Sequence, residues 1–165
     1  MERFWLALGF LTRLPAPPVT GAAGMGRALP AFPLVGALVG GLLLLADALL
    51  EPWGAGVQAA LVLVFWVGLT GGLHLDGLAD SADGWAGGPD RERALAIMRD
   101  PRSGAIGVGA VVLLLLTKWA ALAGTIPWQG LLLAPVAGRA AAAWLFCVTP
   151  YARSEGLGSA FADGL

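Results

Sequence analysis

Charge is what this chain has least of. Of its 165 residues, 13% are Asp, Glu, Lys or Arg, against 58% hydrophobic, and mean hydropathy is +0.77. A soluble domain carries about a quarter charged residues. The shortfall, with several apolar runs of about 20 residues, excludes an ordinary soluble domain and indicates a multi-pass membrane protein. An excess of positive charge is missing too. Ten basic and 11 acidic residues give a net charge of −1 and a pI of about 5.7, which gives no support to nucleic-acid binding. Cysteine is reduced to Cys147, inside the apolar run "AAAAWLFCVTP". A lone cysteine excludes an internal disulfide and is too isolated for a zinc site, so packing is its expected role. The chain shows no internal repeat, low-complexity tail or inter-domain linker, and residues 1–165 read as one membrane domain.

What is present is an all-α, multi-pass helical bundle of about four spanning helices. The spans fall roughly at 30–50, 56–75, 104–126 and 129–149, punctuated by Pro52, Pro127 and Pro150. The opening "MERFWLALGFLTRLPAPP" has a short apolar part interrupted by Arg13 and no small-residue cleavage site. It is expected to be an uncleaved interfacial or re-entrant segment. Arg3, Arg13 and Arg27 precede the first span, while Arg91, Arg93, Arg99 and Arg102 lie between the second and third. Arg153 follows the fourth, and the other two links carry only Glu51. The positive-inside rule therefore places both ends and the 76–103 loop in the cytoplasm. Gly36 with Gly40, and Gly68 with Gly72, have the spacing that lets helices approach closely in lipid.

The stretch "GLHLDGLADSADGWAGG" places Asp76, Asp80 and Asp83 where the second span ends. At about 100° per residue, the second and third lie about 40° and −20° from the first, so a continuing helix carries them on one stripe. Bunched carboxylates repel unless a cation sits among them, and Mg²⁺ or Mn²⁺ fits best. The bland alternative is a solvated acidic helix end. Gly77 and Gly84 leave room for a bulky phosphate ligand while weakening the helix. His74 lies about 160° from Asp76 and is expected to be a hydrogen-bonded interface histidine rather than a fellow ligand.

The following "RERALAIMRDPRSGAIG" supplies complementary charge. Topology alone explains Arg91 and Arg93. "RDPRSG" is more specific, with Arg99, Asp100 and Arg102 just where the third span begins. A metal for bridging oxygens and guanidinium forks for the others is the equipment of phosphoryl transfer. Lys118 and Arg139 fall inside spans, where cations are costly and mark function or a partner. They are candidates either for pairing with a carboxylate such as Asp47 or for contacting substrate.

These motifs resemble one family closely. "HLDGLADSADG", "RERALAIMRDPRSGAIGVGA", "LLLTKWAAL", "LALGFLTRLPAP", "GRALPAFPLVGALVGG" and "PYARSEGLGSAFADG" are similar, in order and spacing, to cobalamin synthase. The resemblance implies a Mg²⁺-dependent enzyme of the cytoplasmic (inner) membrane. Such an enzyme joins adenosylcobinamide-GDP to α-ribazole or its 5′-phosphate, giving adenosylcobalamin or its phosphate and GMP. It also implies that Asp76, Asp80 and Asp83 hold Mg²⁺ and, through it, the pyrophosphate. Arg99 and Arg102 are implied phosphate contacts, and Asp100 either orients Arg102 or adds a ligand. Pro101 and Ser103 stand where Ser and Ile are expected. Family members usually run longer, with further spans and another acidic element. The chain is therefore expected to be either a fragment lacking the C-terminal third or a natural short form.

One of the three aspartates, or His74 through a water, is the expected proton acceptor. Membrane lipid is an implied partner, nucleic acid is not, and a homo-oligomer is compatible with the sequence. Two other readings compete. A cation transporter or channel suits charged, glycine-rich spans, but this acidic cluster sits at a span end rather than near the midplane. A phospholipid-forming CDP-alcohol phosphotransferase uses similar aspartate logic, but Ala79 is followed here by Asp80 and the later spacing is three.

Overall fold

The computed structural model describes residues 1–18, 24–124, 128–149 and 161, and all the regular structure among them is helical. Among the described residues seven α-helices follow one another: α1 Glu2–Leu11, α2 Phe32–Leu50, α3 Ala55–Thr70, α4 Leu73–Ala86, α5 Arg91–Ile97, α6 Ala105–Ala123 and α7 Trp128–Val148. Short 3₁₀ turns at Met25–Ala31 and Glu51–Trp53 bracket α2. Among the described residues three runs are long and apolar enough to cross a membrane: Met25–Trp53, Ala105–Ala123 and Trp128–Val148. The broken pair α3–α4 makes a fourth if counted as one span.

That break corrects the expected continuous span over 56–75. Helix α3 stops at Thr70, and α4 leaves it at 89°. The reason is local. Gly71 and Gly72 take φ of 67° and 72°, the left-handed region where side chains with a Cβ are strained. Hydropathy reads straight through "LTGGLHL", but the backbone turns there. The expected 76–103 loop is likewise mostly helical, formed by the rest of α4 and by α5. Asp90 starts α5 as its N-cap, accepting the Glu92 amide at 3.0 Å.

The core lies where α2 meets α7 and α3. Phe32, Val35, Val39 and Leu43 of α2 are fully buried, as is Val62 of α3, and Leu131 of α7 nearly so. In lipid, close packing rather than water exclusion holds such helices together, and small residues set how close they come. A Cβ on Gly36 would stand 2.7 Å from the Pro135 carbonyl oxygen, and one on Gly40 would stand 2.6 Å from that of Leu132. This pair therefore makes the helix contact its spacing suggests. Gly68 and Gly72 do not, since nothing lies within 4 Å of a Cβ at either. Helix α1 is too short to cross and packs Ala7, Leu8 and Leu11 inward against the first 3₁₀ turn and α2. Its Phe10 joins Phe32 and Phe161 in an aromatic cluster, with the Phe10 and Phe161 ring centroids 4.8 Å apart. Cys147, expected in packing, is instead exposed on α7.

Candidate active site

The site is built on α4. Asp76, Asp80 and Asp83 all lie on this helix, so the stripe exists as the phase arithmetic requires. In-phase placement is not convergence, however. Asp76 and Asp83 are two turns apart, about 10 Å along the axis at 1.5 Å per residue. Among the described residues no three His, Cys, Asp or Glu side chains converge in a group able to hold a metal.

Asp76 is exposed and lines a cavity of about 720 Å³ together with Arg13, Thr70 and Ser103. Asp80 is half-buried one turn further along. Asp83 has a different setting. Its Oδ2 accepts the Gly104 amide and its Oδ1 the Gly107 amide, both at 2.7 Å. Gly104 is the N-cap of α6, so a carboxylate on one helix satisfies two otherwise orphaned donors of another. Negative charge at a helix N-terminus is also favoured by the peptide dipoles. The two glycines are needed for this approach, since a Cβ on Gly104 would come 2.5 Å from Asp83 Oδ1. The Cβ of any larger residue at position 107 would stand 2.7 Å from the Ala79 carbonyl. On the other side, Gly84 receives the Met98 side chain, which closes α5 against α4.

Arg102 and Asp100 form a bidentate pair between α5 and α6. Arg102 Nε donates to Asp100 Oδ1 at 3.0 Å and Nη2 to Oδ2 at 2.7 Å, and the Arg102 amide also donates to Oδ1. The hydrogen bonds from the Arg102 side chain and then its backbone pull the Asp100 pKa down to about 2. The side-chain bonds to Asp100, and then its negative charge, raise that of Arg102. The Arg102 side chain remains 86% exposed, leaving a held but accessible guanidinium. Asp100 thus has the geometry of an orienter of Arg102. Arg99 is exposed on the same connection.

The remaining candidates lie elsewhere. His74, Lys118 and Arg139 line another cavity, of about 270 Å³, which shares Thr70, Gly72 and Leu75 with the one that holds Asp76. No side-chain hydrogen bond joins His74 to another described residue, so the expected hydrogen-bonded interface role is not met among them. Asp47 is not the partner of either cation. Its Oδ1 and its backbone carbonyl both accept from Gln58 Nε2 at 2.8 Å.

Sequence reasoning missed Arg13, counting it only as a topology charge. Its amide donates to the Leu69 carbonyl at 2.8 Å, its side chain lies over Gly71, and it lines the cavity that holds Asp76. The only signal was the "LTRLPAP" motif itself, because the contact joins positions nearly 60 apart.

Residues 3–165 match the family described as cobalamin-5-phosphate synthase (CobS). The chain is 56% identical over 171 residues to an adenosylcobinamide-GDP ribazoletransferase of Pseudomonas savastanoi pv. phaseolicola. It is 55% identical to that of Pseudomonas syringae pv. syringae and 53% to that of Pseudomonas fluorescens. Each match covers 100% of this chain and 70% of the relative. No solved structure matches. These relatives favour neither the transporter reading nor the phospholipid one. The α4 carboxylates, the arginine pair and a match over nearly every residue together place the chain in the cobalamin-5-phosphate synthase family.

Proposed function

We infer that the chain is a membrane transferase of cobalamin synthesis, joining adenosylcobinamide-GDP to α-ribazole or its 5′-phosphate. The products are adenosylcobalamin or its phosphate, and GMP. The observation that carries the reading is the family match over residues 3–165, with the α4 aspartates and the Arg102–Asp100 pair inside it.

The ribazole hydroxyl attacks the phosphorus that bears the cobinamide. The bond from that phosphorus to the bridging oxygen breaks, and GMP leaves with the electron pair. Such transfers depend on positioning and charge neutralisation more than on a strong base. A carboxylate of the α4 stripe suffices to take the hydroxyl proton.

The donor set fits Mg²⁺ in a specific way. Mg²⁺ keeps several waters and needs only one or two carboxylates when substrate phosphates complete its shell. Asp76 and Asp80, one turn apart on α4, would hold it. When bound, the ion neutralises pyrophosphate charge. The chain's own contribution is to present Arg102 through Asp100, to add Arg99, and to fix α4 against α6 through Asp83. By the positive-inside bias, the site faces the cytoplasm from the inner membrane.

The test is direct. Membranes carrying the protein should convert adenosylcobinamide-GDP and α-ribazole phosphate to cobalamin phosphate with Mg²⁺, and EDTA should stop them. Asp76→Asn and Asp80→Asn should each lower kcat by at least about 100-fold. Full turnover in both variants would sink the metal assignment.

A further inference from the structure

The cavity of about 270 Å³ between α3, α4, α6 and α7 is not used by the transfer described above. Its walls are largely apolar, with Leu63, Val67, Leu114 and Leu115 among them, yet Lys118 and Arg139 both reach it. Arg139 is 6% exposed. Its Nε has no hydrogen-bond partner among the described residues, and its Nη1 reaches only the carbonyl of Pro135, in its own helix, at 3.5 Å. That distance is too long for a sound bond. Lys118 places its Nζ 4.4 Å from the centroid of the Trp66 ring, a contact that disperses its charge without cancelling it. No carboxylate among the described residues lines the cavity, and Asp47 is committed to Gln58.

Two cations therefore share a low-dielectric space, one of them with an orphaned donor. Burying an uncompensated charge is costly, and intramembrane cations persist where something negative meets them. A guanidinium fork beside an ammonium suits a tetrahedral oxyanion, with the fork taking two oxygens and the ammonium a third. The apolar walls suit whatever the anion is esterified to.

We propose that this cavity is an anion site within the bundle that takes the phosphate group of an ester through Arg139 and Lys118. A lipid headgroup and a soluble phosphate compound share this chemistry. The proposal is independent of the transferase reading, because its readout is binding rather than turnover.

The full chain, purified and delipidated in a neutral detergent, is melted with inorganic phosphate against chloride at equal ionic strength, and separately with phosphatidylglycerol. At about 100-fold excess over Kd, an occupied site should raise the melting temperature by roughly 5–10 °C. A rise with inorganic phosphate identifies a soluble source, and a rise with phosphatidylglycerol alone identifies a lipid headgroup. Arg139→Gln and Lys118→Gln should each abolish the rise. Arg139→Gln should also melt higher than the parent when neither probe is present, because it removes an unmatched buried charge. No rise with either probe, or the same rise in both variants, overturns the proposal. A lower melting temperature for Arg139→Gln without probe also overturns it, since that result marks a residue already paired within the protein.

Discussion

At the scale of single residues, the role proposed for the Arg102–Asp100 pair is binding rather than support of the fold. With Arg102 86% exposed and Asp100 partly so, the pair holds a guanidinium in place without carrying the fold. Asp100→Asn should therefore leave the melting temperature unchanged. It should raise KM for adenosylcobinamide-GDP about 10-fold with a smaller loss in kcat, as expected when a ground-state contact is loosened. The pH behaviour follows from the direction of the shift. The Asp100 pKa is depressed to about 2, so the contact is intact above the ordinary carboxylate range and is lost only as pH falls through about 2. Turnover between pH 6 and 9 should carry no inflection from this pair, and a pH–rate profile of Asp100→Asn overlaid on the parent checks it. "RDPRSG" made this arrangement legible, because its partners are two residues apart. Asp83 was not legible in the same way, since the amides it accepts are 21 and 24 positions away. Phase along one helix cannot report a contact with another.

At the scale of elements, α4 is defined by how it begins and what it holds. It begins at two glycines whose φ angles only glycine adopts cheaply. Gly72→Ala should cost about 1 kcal/mol, since a left-handed residue bearing a Cβ is strained by roughly that amount. Nothing crowds the added methyl at position 72, so the cost is conformational alone. Asp83→Ala removes the cap of α6 and should cost about 1–2 kcal/mol, the range for losing an N-cap side chain. The sharper readout is hydrogen exchange: the Gly104 and Gly107 amides should lose protection in Asp83→Ala while those of α2 keep theirs. Retained protection at both would mean the clamp is not closed in solution. The sequence made the helices themselves plain, because apolar runs bounded by proline and glycine leave few alternatives. It hid the 89° break, because Gly71 and Gly72 interrupt neither the hydropathy nor the spacing of the run.

At the scale of the whole molecule, the bundle is organised around the α2–α7 contact, and glycine sets its closeness. Gly36→Val places a branched side chain where even a Cβ would stand 2.7 Å from backbone atoms of Pro135 and Val136. Overpacking of this kind costs about 1–3 kcal/mol. The variant should lose monodisperse protein on size exclusion in detergent, while Gly41→Val, where nothing lies within 4 Å, should not. The fold class and the membrane setting follow from composition because lipid admits few architectures. Which helices touch depends on individual glycines, and of the two similar pairs only the one facing a partner makes the contact.

The Asp83 clamp has a mechanical meaning. Two bonds of 2.7 Å couple the first turn of α6, an apolar spanning helix, to the helix that carries Asp76 and Asp80. Tilting α6 to match a thinner or thicker bilayer therefore drags on α4, and the proposed carboxylates feel the lipid through a lever. Acyl-chain length becomes a variable of the chemistry, and turnover in vesicles of graded thickness should trace that coupling, flattening once Asp83→Ala uncouples the lever.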